Sequence, residues 1–183
     1  MNAYIAAPLL VLFYGVARII DGFDGERGPG PAWTSGHIAF LAALLLFIRI
    51  FWDMAARIGP RARVVAAVAT VGAVGFIGQF GVDVVVGLLA DDHAGMAAMS
   101  RQVKEVPGVS LFCYDLAPYV FSVGQLALVV MLALRKEVRV WTPVLVFADL
   151  VMPIVSKDLI PVGAVLLLVS FLPLARRRAP ALV

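Results

Sequence analysis

Apolar runs of near bilayer-spanning length alternate with short polar or Gly/Pro-rich segments along almost the whole chain. The runs cover residues 3–20, 36–58, 64–90, 109–134, 141–156 and 159–175. This pattern predicts an all-α, polytopic membrane helix bundle of about six transmembrane helices, forming one domain over residues 1–183. The last two runs are short, carry Pro143, Pro153, Pro161 and Pro173, and are divided only by Lys157 and Asp158. They read either as a tight hairpin or as one broken, re-entrant element. Run 3–20 has no basic segment before it and ends Ala17-Arg18-Ile19-Ile20-Asp21 without a small-residue cleavage site, so it reads as a retained first helix.

Two connections differ in character. Gly28-Pro29-Gly30-Pro31 resists helix formation and reads as irregular. Residues 94–105 carry Met96, Ala97, Ala98, Met99 and Val103, which fits a short amphipathic helix lying on the membrane like a lid; a solvated loop fits equally.

Composition supports the membrane reading, with 62% hydrophobic residues and a mean hydropathy of +0.98. The formal charge of +3 sits largely in three clusters beside apolar runs. These are Arg57, Arg61 and Arg63; Arg135, Lys136 and Arg139; and Arg176, Arg177 and Arg178. The positive-inside bias assigns all three clusters and both termini to the cytoplasm. Charge that orients the chain in a membrane needs no nucleic-acid partner, and none is expected. Among the fifteen Lys and Arg only Lys104, Lys136 and Lys157 are lysines. With abundant Ala and Val, that usage suggests a GC-rich genome and a bacterial plasma (inner) membrane protein.

Cys113 stands alone, so neither an intramolecular disulfide nor a CxxC site is expected. HExxH, P-loop, GxGxxG and GxSxG signatures are absent. Asp91-Asp92-His93 is a single cluster without a second ligand set, and His93 falls in a connection, which disfavours a bis-histidine haem with His37. No metal or cofactor is expected.

Candidate chemistry lies in the intramembrane polar residues. Asp83, Asp115 and Asp149 each stand about eight residues from the outer end of a run, which places their carboxylates about 12 Å below one surface. Gly72, Gly75, Gln79, Asp83 and Gly87 form one helical stripe, readable as a packing seam or as the border of a pocket. Asp115, Tyr119 and Ser122 share another face beside Pro118, and Asp149, Pro153 and Ser156 a third. Arg18 and Lys157 are the nearest counter-charges, with Tyr14 a turn from Arg18 and His37 at the outer mouth of the second run. Arg49, Asp53 and Arg57 make an i,i+4 ladder that reads as a structural ion pair or as a gate on the cytoplasmic side.

If the acids converge, they suit an acid/base enzyme acting on a lipophilic, isoprenoid-like substrate. Asp83 and Asp115 would be the acid and base and Asp149 an electrostatic stabiliser. Tyr14, Arg18, His37, Gln79, Tyr119 and Lys157 would bind or orient the substrate. Such chemistry resembles that of small membrane terpene cyclases or isomerases, although the DxDD and DDxxD signatures of the soluble enzymes are absent. The alternatives are a proton- or cation-coupled binding or transport protein, and a non-catalytic accessory subunit. Expected partners are membrane lipid, a lipophilic small molecule, and a second copy or a larger membrane protein.

Overall fold

A computed structural model describes residues 2–23 and 25–176 and is all-helical, with no strand among them. Arg177 and Arg178 of the expected basic tail lie outside the described residues. Helix α1 (Ala3–Asp21) opens on Asn2, whose side chain accepts from the Tyr4 N–H at 3.1 Å. Helices α2 (Pro31–Ile58) and α3 (Pro60–Leu89) each begin with proline, which loses nothing at a position whose N–H has no helical partner. This explains why α2 starts at Pro31 rather than at residue 36. Only Gly59 separates α2 from α3. Its φ of +115° is a backbone state that a side chain would strain.

Helix α4 (His93–Glu105) is capped by Asp92, whose carboxylate accepts from the Gly95 N–H at 2.7 Å, and it buries only Met96. Of the two readings for residues 94–105, the surface helix is the one realised. A π-helical turn, Ser110–Leu116, leads into α5 (Ala117–Leu134). Pro118 has no N–H to return to the Tyr114 carbonyl, and its ring crowds that turn. The Ala117 N–H bonds Phe112 O, five residues back, which widens the coil. Helix α6 (Trp141–Val155) spans only about 22 Å. The 3₁₀ turn Lys157–Leu159 joins it to α7 (Ile160–Arg176), so the last two runs form a broken hairpin.

Helices α1, α2, α3, α5, α6 and α7 close into a ring, each packed on the next and α7 on α1, with α2 also touching α5 across the middle. Gly72 and Gly124 let α3 and α5 meet closely. A Cβ on Gly72 would collide with the Phe121 backbone, and one on Gly124 would stand 2.6 Å from the Ala69 Cβ. Aromatic rings fill the axis. Tyr14 meets Phe40 (4.8 Å), Phe40 stacks on Phe80 (4.3 Å), and Phe76 links Phe80 (5.5 Å) to Phe121 (5.8 Å). Phe47 then joins Phe121 (5.3 Å) to Phe171 (6.5 Å), which meets Tyr4 at 5.5 Å. Outward-facing positions such as Leu45, Val64, Val74, Val85 and Val123 are exposed and apolar. Among the described residues five helices are long and apolar enough to cross a bilayer, and α6 is a shorter apolar helix. The molecule is a helical membrane bundle with a polar cluster at each end of an aromatic column.

Candidate functional site

The end of the bundle away from the Gly59 turn, here the distal end, gathers the sequence-predicted Tyr14, Arg18 and His37. Tyr14 and Arg18 come from the last turns of α1, and His37 from the second turn of α2. Gly36 makes their approach possible, since a Cβ there would stand 3.1 Å from the Ala17 Cβ and 3.5 Å from the Tyr14 ring. His37 is buried among rings: Trp33 at 3.9 Å, Phe80 at 5.3 Å and Tyr14 edge-on at 5.4 Å. Its Nδ1–H donates to the Trp33 carbonyl at 2.8 Å, which leaves the lone pair of the neutral ring on Nε2.

Tyr14, Arg18, Asp21, Trp33 and His37 line a recess of about 10 Å³, room for about one oxygen atom. Arg18 lies against the Tyr14 hydroxyl. Its Nε is buried and has no acceptor. Trp33 closes the third side by donating Nε1–H to the Asp83 carbonyl at 3.3 Å, seated on Gly87, where a Cβ would stand 2.7 Å from Nε1. Above this cluster Arg27 pairs with Asp158 at 2.8 Å, and the His93 Nδ1–H donates to Arg27 O at 2.6 Å. These half-exposed contacts tie the first connection, α4 and the 3₁₀ turn together at little energy each.

The three carboxylates lie on three different elements. Asp83 projects from α3 within the electrostatic reach of Lys104, Lys157 and Tyr14. Asp115 is exposed on the outer side of the π-helical turn. Asp149 packs against α7, where a Cβ on Gly163 would stand 2.6 Å from its Oδ1, and α6 touches neither α3 nor the π-helical turn. Asp149 is therefore set apart from the elements that carry Asp83 and Asp115. Rise along a helix fixes depth, whereas lateral position depends on which helices pack together.

Tyr119 is 65% exposed and faces outward with Asp115, while Lys157 is exposed in the 3₁₀ turn. Gln79 remains in the α3 seam, but its Oε1 is buried without a donor, so the seam holds by glycine contacts rather than by side-chain hydrogen bonds. Tyr114 is a further buried hydroxyl without a partner, with Lys104 of α4 at 4.6 Å over its ring. At the opposite, basic end, Asp53 accepts from the Tyr4 hydroxyl at 2.6 Å and from Arg57 Nε at 3.2 Å, with Arg57 over the Tyr4 ring. Arg49 is exposed and takes no part, so the ladder shortens to one pair.

Sequence reasoning missed Trp33 and Asp21 as parts of the site, because residues 21–36 read as irregular. A signal was present: Pro31 at a helix start puts Trp33 and His37 at i,i+4 on one face. Comparison with protein families, curated proteins and solved structures gives no match.

Proposed function

We propose that this membrane protein handles the polar end of a lipophilic, isoprenoid-like molecule by acid–base chemistry at its distal face, in the plasma membrane of a bacterium. The supporting observation is Arg18 Nε, buried without an acceptor beside a recess that His37 also lines. Leaving such a donor unmet costs about 1–3 kcal/mol, which favours an oxygen in the recess. Water meets the need, and a carbonyl, carboxylate or phosphate oxygen meets it with a charge-assisted bond. Arg18 then polarises or anchors the ligand head. His37, oriented by Trp33, offers Nε2 as the proton acceptor, and Tyr14 is the nearest hydroxyl. Asp83 is the one member of the acid trio whose charge reaches Tyr14.

Wild type, Arg18→Gln and His37→Gln, purified gently from membranes and extracted for mass spectrometry, test this reading. The expected result is a lipophilic molecule with an oxygen-rich head that leaves with Arg18→Gln and stays, unconverted, with His37→Gln. The same co-purifying molecules in all three would sink it.

An accessory role draws support from a different observation, the exposure of Asp115 and Tyr119 on one outward face, where a neighbouring chain would supply partners. Transport draws no support from the bundle axis, which aromatic rings occupy.

A further inference from the structure

A second cavity lies at the basic end, away from the acid–base site. It measures about 440 Å³ and opens to the outside between the α2–α3 turn and the end of α5. Its wall is apolar, made by Ile58, Met131 and Leu134, and its charged lining is Arg61 and Arg135. Met131, Leu134 and Arg135 fall at i, i+3 and i+4, so one helical face delivers two apolar side chains and one guanidinium. Arg135 Nη1 donates to the Ile58 carbonyl, which holds that guanidinium at the rim of the apolar groove. Arg61 arrives from the first turn of α3. Gly59 places no side chain in the mouth between them.

We propose that this groove binds one anionic glycerophospholipid, its phosphate between Arg61 and Arg135 and an acyl chain along Ile58, Met131 and Leu134. Charge complementarity selects the occupant. Two lining arginines, with Lys136 and Arg139 against the single acid Glu137 in the same connection, leave a net positive rim that attracts a net-negative head and repels the ammonium of a zwitterionic one. The groove stands where apolar helices give way to basic connections, the level at which a lipid phosphate meets its acyl chains.

Native mass spectrometry of the full chain, titrated with phosphatidylglycerol or phosphatidylcholine, measures the site. Phosphatidylglycerol should bind one equivalent tightly and phosphatidylcholine should not. Arg61→Gln with Arg135→Gln should weaken that binding about 30-fold, two arginines at about fivefold each. The matched double variant Arg63→Gln with Arg139→Gln removes equal charge outside the lining and should change binding less than about threefold. Met131→Trp fills the groove without altering charge and should also expel the lipid. Inorganic phosphate in excess should not compete. Equal binding of the two lipids, equal loss in both double variants, or displacement by inorganic phosphate would each overturn the proposal. If Met131→Trp fails to fold, the two double variants decide alone.

Discussion

The same two helices, α1 and α2, build a Tyr–Arg cluster at each end of the bundle, and the two clusters are finished to different degrees. At the basic end, the Asp53 carboxylate takes a hydrogen bond from Tyr4 and one from Arg57, whose side chain is only 7% exposed. Donors and acceptor are matched and charges cancel. At the distal end, Arg18 lies against Tyr14, yet its Nε has no acceptor, and His37, its Nδ1 engaged by Trp33, lines the same space, the size of one oxygen. Chemically similar residues thus make a structural pair in one place and an incomplete site in the other. A buried polar group without its partner marks where something else belongs.

The comparison breaks most directly at Asp53. Asp53→Asn keeps the shape but removes the charge of the carboxylate that Tyr4 and Arg57 share, and neutralising one member of such a pair costs about 3 kcal/mol or more. Thermal unfolding in detergent should show the largest loss of any polar substitution in the bundle. Adding Arg57→Gln should recover part of that loss, because a buried guanidinium no longer faces a neutral amide. If Asp53→Asn melts with the wild type, the basic-end pair is not structural and the contrast fails.

A smaller effect is expected where the distal site is propped from behind. Gly87→Ala drives a Cβ into Trp33, 2.7 Å from Nε1, and must push that ring off the Asp83 carbonyl and off His37. Overpacking of this kind costs about 1–3 kcal/mol. The indole fluorescence should shift as Trp33 moves, and co-purified ligand should fall with it. Unchanged fluorescence would mean that Trp33 does not brace the site.

Tyr4→Phe sharpens the basic-end half. It removes one hydrogen bond to Asp53 but keeps the ring against Phe171, so a loss of about 1 kcal/mol is expected in the same melting experiment. A loss as large as that from Asp53→Asn would mean that the hydroxyl, not the arginine, carries the pair.

What the sequence could and could not reveal follows the same division. Apolar run lengths gave the helices, and Pro31 and Pro60 carry the information that corrects their starts. The Asp53–Arg57 pair was legible because i,i+4 spacing within one helix fixes both depth and azimuth. Asp83, Asp115 and Asp149 lie on three elements, and only their depth was readable. Their lateral positions depend on contacts such as Gly72 against Phe121 and Gly163 against Asp149, which no local pattern encodes. The π-helical turn adds a rotation of its own, because one more residue per turn changes which side chains of residues 110–116 line up with α5. Tyr14, Arg18 and His37 came together because consecutive helices joined by a short connection pack as antiparallel neighbours, bringing the end of one beside the start of the next.

The smallest stability effect should come from Arg18, and it is the most informative. Arg57→Gln breaks a satisfied pair and must destabilise, whereas Arg18→Gln shortens a half-buried side chain whose buried Nε already lacks an acceptor. Removing an unmet donor relieves a desolvation cost, so Arg18→Gln should leave the ligand-free stability within about 1 kcal/mol of wild type, or raise it. With a ligand present the order reverses, because a molecule that binds only the folded protein stabilises it in proportion to its affinity. The wild type should then gain melting temperature on addition of its ligand and Arg18→Gln should not. A large loss in ligand-free Arg18→Gln would mean that Arg18, like Arg57, is a finished structural residue, and the two ends of the bundle would no longer differ in kind.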